Sequence, residues 1–344
     1  MFERILIVGY GSIGRRHLRV VRSALPNANI RVLRRSATMQ AIEGGNVVYT
    51  QLQDALAFSP QLAVIASPAS EHLHAAGALV SQGCHVLIEK PLCLPDEDTA
   101  DFTAICKAQP EVTVQVGYNL RYLDSLRHFR QLILENTSGK VLSVRCDVGQ
   151  YLPDWRPSQD YRDSASARRA LGGGVLMELS HELDYLQWIF GRCDWVSAYL
   201  GCHSDLALDV EDTAQLWLGH SGYSSAGDKT EVVVALCMDF YRRDVTRRCT
   251  AICERGSITW DAIDGQVTCQ VAGVAAPEVV LQSSPPRDES YTSQWQDFMQ
   301  AAAGSQCPCV GLDDGLSVMN VIRAARRSNE AGSARVTVVL AEEL

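Results

Sequence analysis

Three groups of residues in this 344-residue chain have the types and spacing for chemistry. The first is Glu89-Lys90-Pro91, which follows an apolar run ending at Ile88. A lysine on the loop after a buried strand can donate to a substrate hydroxyl or carbonyl oxygen, and a pKa lowered by burial and a cationic neighbour lets it carry the proton. The second is Glu178-Leu179-Ser180-His181-Glu182-Leu183-Asp184, entered from Gly172-Gly173-Gly174. Glu178 and His181 are three apart, so a continuous helix puts both on one face, where the carboxylate orients or polarises the ring; His181 and Asp184 share a face in the same way. A bare HxxD equally fits a capped helix with a satisfied histidine. The third is the stretch from Tyr151 to Gly174, long for a loop and dense in charged and aromatic residues: Arg156, Tyr161, Arg162, Arg168 and Arg169. Guanidinium forks hold carboxylate or phosphate in a bidentate way, so these arginines imply an anionic small molecule touched by one or two of them.

The elements that must position these groups begin with the alternating run Arg4 to Val8, the turn Gly9-Tyr10-Gly11-Ser12-Ile13-Gly14, and a helical pattern over 12–25. A strand, a GxGxxG turn and a helix suit a dinucleotide. Gly9 permits the tight turn, Gly11 lets the backbone approach a pyrophosphate, Gly14 lets helix and strand pack, and the N–H groups around Ser12 and Ile13 face the phosphates. After the next strand, an NAD-specific site would carry an acidic residue for the ribose hydroxyl. Here Arg34-Arg35-Ser36 stands instead. Two guanidinium groups and a hydroxyl suit a 2′-phosphate, so NADP(H) is the preferred coenzyme, with NAD(H) as the alternative. Ser67, Pro68 and His72 follow another strand and belong to the same ligand edge, as does Glu89.

Short apolar runs at Ile30–Leu33, Gln61–Ala66, His85–Ile88 and Val112–Val116 alternate with helical patterns near 70–82 and 95–109. This rhythm predicts a doubly wound parallel sheet with helices on both faces, which the family resemblance drawn below implies to be a Rossmann domain. From about 140 the pattern turns to long segments rich in Val, Thr and aromatics, with helices near 121–135, 176–190, 290–303 and 313–328 and a final strand over 334–340. The expected architecture is α/β: a coenzyme-binding domain over 1–119, then an α/β domain over 120–344 built on a large, open, mostly antiparallel sheet. A net charge of −9 argues against nucleic acid or an anionic membrane as partner. No stretch approaches the ~20 apolar residues of a membrane helix. Twelve cysteines show no CxxC spacing and mostly sit in apolar patterns, as free thiols do, so a reduced, cytoplasmic protein without a metal site is expected; Cys307-Pro308-Cys309 reads as an incidental surface pair.

Taken together, these residues resemble one family along the whole chain, the Gfo/Idh/MocA oxidoreductases (glucose-fructose oxidoreductase, inositol dehydrogenase, rhizopine catabolism). The resemblance rests on Gly9 to Gly14, Ser67-Pro68 with His72, Glu89-Lys90-Pro91, Gly117-Tyr118-Asn119-Leu120-Arg121-Tyr122, the GGG…HxxD segment and the terminal helix pattern. It implies hydride transfer between a nicotinamide and a sugar carbon, with Lys90 as catalytic lysine, His181 as active-site histidine, and Asn119 and Arg121 lining a substrate cleft. It also implies a homodimer or homotetramer formed through the C-terminal sheet. The family usually has an Asp four residues before its histidine, where this chain has Met177, so either Glu178 takes the acid role with altered geometry or that role is absent. The segments around Trp155-Arg156, Asp160-Tyr161-Arg162, Arg168-Arg169 and Ser180 to Tyr185 are similar to a subgroup linked to nonulosonic-acid and surface-polysaccharide sugars. The expected substrate is thus an acidic or nucleotide-activated sugar, with Arg156, Tyr161, Arg162, Arg168 and Asp184 among its contacts. An inositol or simple hexose dehydrogenase is the runner-up. A non-catalytic nucleotide sensor on the same fold is the alternative of another class.

Overall fold

The computed structural model describes residues 2–35, 42, 47–157, 159–223 and 229–339. Ser36, and Leu340 at the end of the expected final strand, lie outside the described residues. In chain order the elements are β1 (Arg4–Val8), α1 (Ser12–Ala24), β2 (Asn29–Leu33), β3 (Val48–Tyr49), α2 (Leu52–Ala57), β4 (Leu62–Ile65), α3 (His72–Val80), β5 (His85–Ile88), α4 (Ala100–Ala108) and β6 (Val114–Val116). Then come α5 (Asp124–Leu134), β7 (Val141–Gly149), α6 (Val175–Glu178), α7 (His181–Phe190), β8 (Arg192–Gly201), β9 (Thr213–Tyr223), β10 (Lys229–Asp239) and β11 (Thr246–Cys253). The chain closes with β12 (Gly256–Asp261), β13 (Gln266–Val271), β14 (Glu278–Gln282), α8 (Glu289–Ala302), α9 (Leu312–Glu330) and β15 (Val336–Thr337).

The chain divides into two compact units, Met1–Asn119 with Arg287–Leu316, and Leu120–Pro286 with Ser317–Leu344. An unbroken second domain over 120–344 is therefore corrected, because residues 287–316 return to the first unit. The reason is hydrophobic. Trp295 and Phe298 of α8 are fully buried in one cluster with Ile5 and Ile7 of β1, Leu18 and Val21 of α1, and Val32 of β2.

In the first unit, six parallel strands run in the order β3-β2-β1-β4-β5-β6. The strands have near-continuous apolar sequences because both faces are covered, as in Leu62-Ala63-Val64-Ile65, where every residue is buried. The strand order reverses between β1 and β4, which opens a crevice beyond their carboxyl ends.

The second unit holds a nine-stranded sheet in the order β14-β13-β12-β11-β7-β10-β9-β8-β15. Only the β7–β10 pair is parallel, so the sheet is mostly antiparallel. Alternation sets its faces: Val144, Cys146 and Val148 of β7 are buried, while Arg145 between them is exposed. The buried layer includes Leu126 and Phe129 of α5, Leu183 and Leu186 of α7, and Met319 and Ile322 of α9. Tyr185 of α7 meets Trp260 of β12 edge-on at 5.3 Å, and the Trp260 indole donates to Ser125 Oγ of α5. Strands β13 and β14, with partly exposed and polar residues such as Gln266, Thr268, Gln270 and Glu278, escape a reading based on apolar alternation.

Candidate active site

Within the first unit, the carboxyl ends of three adjacent strands carry the chemistry: Gly9 after β1, Ser67 after β4 and Lys90 after β5. Gly9 has φ +90°, and a Cβ there would strike the backbone of Ala66 and Ser67; a Cβ at Gly14 would strike the Gly9 carbonyl. These clashes explain why strand, turn and helix pack this closely only with glycine. At Gly11, by contrast, a Cβ would meet nothing, and Gly11 and Ser12 are exposed. Helix α1 starts here with no side-chain cap and no acidic residue in its first turn. Its first N–H groups, at Ser12, Ile13 and Gly14, therefore face an open space with positive helix-end potential, which fits a pyrophosphate. Ser67 Oγ is buried on the same edge without a hydrogen-bond partner among the described residues, which also fits a polar ligand. Pro68 leads from Ser67 into the turn Ala69–Glu71.

At the ribose end of that edge, Arg34 and Arg35 follow β2 as read from the sequence. The Arg35 guanidinium is paired with Glu71. A carboxylate beside this guanidinium suits a ribose hydroxyl better than a phosphate.

Around Lys90 the side chains turn inward. Glu89 is buried, with its Oε1 2.6 Å from His17 Nε2 of α1 and its Oε2 accepting from the Lys90 backbone N–H at 3.3 Å. His72 is also buried, with Nδ1 3.0 Å from the Pro91 carbonyl oxygen and Nε2 2.9 Å from that of Ser67. Both partners are acceptors, so a neutral ring serves one at a time. Burial, the largest influence on this ring, pushes its pKa down, while its backbone carbonyl partners and the Glu89 charge oppose that. Glu89 and His72, expected on the coenzyme edge, are bonded within the fold on either side of Lys90. Asn119, expected at the substrate, is buried and donates from Nδ2 to Ser290 Oγ of α8 at 2.8 Å, which ties down the returning segment.

In the second unit, the single helix expected over 176–190 is two. α6 ends at Glu178 and α7 begins at His181, with Leu179 off helical geometry at φ −96°, ψ 24°. The argument that Glu178 and His181 share a helical face is therefore corrected. Glu178 is half-buried and accepts from Ser166 Oγ at 2.9 Å. His181 is half-buried at the first position of α7. Two wholly buried carboxylates anchor this helix. Asp184 is gripped in a bidentate way by Arg121 (Nε to Oδ2 2.9 Å, Nη2 to Oδ1 2.6 Å), and Glu182 accepts from Arg247 Nε of β11 at 2.8 Å. Asp184 and Arg121, both expected at the substrate, are paired with each other.

The long loop keeps part of its expected role. Trp155, Arg156, Tyr161, Ser164 and Ser166 line a small surface hollow of about 10 Å³, room for one water. Tyr161 Oη accepts from the Ala207 N–H, and Trp155 packs edge-on against Phe240 at 5.3 Å, so its walls are held from behind. The Arg156 guanidinium has no hydrogen-bond or ion-pair partner among the described residues. Arg162 is instead engaged with its neighbour Asp160, whose carboxyl its hydrogen bonds hold down at about 2, and Arg168 is exposed.

Sequence reasoning missed His17, Ser166, Glu182 and Arg247 as site-forming residues. The only local signal was a histidine on the apolar face of α1; the partners lie 72 residues on for His17 and 65 on for Glu182. Among the described residues, no group of His, Cys, Asp and Glu is placed to hold a metal ion, and no helix is long and apolar enough to cross a membrane.

Residues 3–118 match the NAD-binding Rossmann fold of the Gfo/Idh/MocA oxidoreductase family, and residues 126–259 match the family's C-terminal domain. The chain belongs to the Gfo/Idh/MocA oxidoreductase family. Among curated relatives, it is 25% identical over 199 residues to glucose-6-phosphate 3-dehydrogenase of Bacillus subtilis, covering 57% of this chain and 55% of that protein. It is 24% identical to inositol 2-dehydrogenase 1 of Saccharopolyspora erythraea, over 100% of this chain and 98% of that one. The chain spans about half the length, 40 to 55%, of the first curated relatives it matches. In fold it is similar to the WlbA dehydrogenase of Bordetella pertussis, solved with NADH and UDP-GlcNAcA, with a TM-score of 0.77 at 20% identity, covering 99% of this chain and 100% of that one.

Proposed function

We propose that the protein is a nicotinamide-dependent oxidoreductase that moves a hydride between its coenzyme and a secondary alcohol or ketone carbon of an acidic or nucleotide-activated sugar. The observation that carries this reading is the shared strand edge, where an open GxGxxG turn after β1 and Lys90 after β5 flank Ser67 after β4. A bound nicotinamide would accept or supply the hydride at this edge. Lys90 then holds the proton of the reacting oxygen, removing it in oxidation and returning it in reduction, and His181 supports that transfer. Glu178, held by Ser166, is assigned the acid role only as a partner of His181.

Substrate class rests on the second unit. A guanidinium without a partner among the described residues, at a surface hollow beside Trp155 and Tyr161, suits a carboxylate or phosphate on a sugar. The full-length likeness to an inositol dehydrogenase supports a neutral polyol as the second reading. UDP-GlcNAcA, glucose 6-phosphate and myo-inositol, the compounds named for relatives, form the panel that separates the two. Turnover of an anionic member that Arg156→Ala weakens through KM supports the first reading, and turnover of myo-inositol alone overturns it. Lys90→Ala should lower turnover by ~10²–10⁴-fold with coenzyme binding changed only a few-fold; unchanged turnover would sink the role of Lys90. A protein that binds coenzyme yet transfers no hydride to any member in a single turnover would instead be a sensor.

The finer coenzyme preference, NADP(H) over NAD(H), rests on Arg34 and Arg35, and the Arg35–Glu71 pair works against it. Glu71→Gln should therefore strengthen NADPH binding relative to NADH in a fluorescence titration. Tighter NADH binding by the unaltered protein overturns the preference. The twelve free thiols support a reducing, cytoplasmic setting. The open face of the nine-stranded sheet, with Trp217 51% and Tyr199 45% exposed, supports a homodimer or homotetramer built on that face.

A further inference from the structure

Lys90 lies between two residues that are each tied to a buried histidine. Before it, Glu89 is bonded to His17 of α1, and its second oxygen takes the N–H of Lys90 itself. After it, the Pro91 carbonyl faces one nitrogen of His72, whose other nitrogen faces the Ser67 carbonyl at the end of β4. Both rings are essentially inaccessible, 0% and 1% exposed, so neither contacts a ligand directly. The pocket for Glu89 is also built tightly from β6: a Cβ at Gly117 would sit 3.0 Å from Glu89 Cα and 3.1 Å from its Oε2. Tyr291 of α8 closes on His17 edge-on at 5.4 Å.

We propose that His17, through Glu89, and His72, through the Pro91 and Ser67 carbonyls, form a two-sided clamp that sets the position of Lys90, and that both are positioning residues and not coenzyme ligands. The physical ground is that loops lack the ladder bonds that hold strands. A lysine on a loop reaches a reacting oxygen reproducibly only when the residues on either side are fixed, and a displacement of about 1 Å costs ~10²-fold in rate. Buried hydrogen bonds, one between His17 and the Glu89 carboxylate and one from the neutral His72 ring to the Pro91 or the Ser67 carbonyl, supply that rigidity without placing another charge on the ligand edge. The clamp's catalytic consequence rests on the role of Lys90 proposed above; its structural part does not.

The chain has only four lysines, Lys90, Lys107, Lys140 and Lys229, which permits a test that needs no substrate. Reductive methylation with ¹³C-formaldehyde leaves each lysine charged and gives each one resolvable signal, with Lys90 assigned by Lys90→Arg. The clamp predicts that His17→Ala and His72→Ala each shift the Lys90 signal and leave the other three in place, while the Kd for NADPH stays within about threefold, as for a residue that does not touch the coenzyme. Turnover of whichever panel sugar reacts should fall by ~10²-fold in kcat, with KM little changed. His17→Gln, which keeps a donor for Glu89, should recover most of the signal position and rate. An unmoved Lys90 signal in both alanine variants, or NADPH affinity lost in step with rate, overturns the clamp. Where an alanine variant does not fold, all four signals collapse, and the same readings are taken on His17→Gln and His72→Gln against wild type. If Lys90→Ala keeps full turnover, the catalytic reading of Lys90 fails, and the signal shifts still decide the clamp.

Discussion

Asp184 and Arg121 face each other with two parallel hydrogen bonds, both side chains under 5% exposed. Two charges taken out of water depend on each other: removing one leaves the other buried and unpaired, at a cost of ~3–5 kcal/mol. Asp184→Ala should therefore lower the unfolding free energy by that order in a urea titration, and a change below ~1 kcal/mol would show that water reaches the pair. The same logic explains why an HxxD spacing does not by itself identify chemistry. A carboxylate three residues after a histidine looks alike in sequence whether it points at a ligand or at Arg121; burial alone separates the two. Arg156 and Arg162 each follow an acid by two residues, Asp154 and Asp160, yet only Arg162 is bonded to its acid, so spacing alone does not separate them.

At the scale of elements, strand β9 carries a titrating group inside the sheet. His220 lies between Cys193 of β8 and Val232 of β10, is fully buried, and bonds through Nδ1 to the Gly191 carbonyl at 2.7 Å. Burial lowers its pKa from 6.5 to about 4. Between those values the unfolded chain takes up a proton that the folded strand refuses, so stability is full above about pH 6.5 and is lost as pH falls to 4, by roughly 3 kcal/mol. His72, also lowered, adds a loss of the same sign. Urea unfolding at pH 7, 5 and 4 should show a shallower pH dependence in His220→Gln than in wild type; parallel curves would place the titration elsewhere. Helix boundaries show the limit of periodicity. The apolar spacing through Val175 to Phe190 is compatible with one helix, yet the chain breaks at Leu179 and restarts at His181, and nothing in a 3.6-residue repeat distinguishes a continuous helix from two short ones in register.

For the molecule as a whole, the nine-stranded sheet is the largest element with an exposed side, and the exposed aromatics Tyr199 and Trp217 lie on neighbouring strands β8 and β9. If that face joins copies of the chain, Trp217→Asp should reduce the mass measured by light scattering after gel filtration towards that of the monomer. A wild-type protein already monomeric at micromolar concentration would remove the interface. The parallel sheet apart from its two-residue edge strand β3, the change to a mostly antiparallel one and the glycine turn were readable from the sequence, because each depends on interactions within a few residues: apolar runs and alternation along a strand, φ above zero at Gly9, free N–H groups at the start of α1. That Lys90 follows a buried strand was readable for the same reason. What only the tertiary structure decided is which polar groups face inward. His17 meets Glu89, Arg121 meets Asp184 and Arg247 meets Glu182 across separations of 72, 63 and 65 residues, and Trp295 and Phe298 carry residues 287–316 back to the first unit. A residue's type states that it needs a partner when buried; the packing of distant segments determines whether it is buried and which partner it meets.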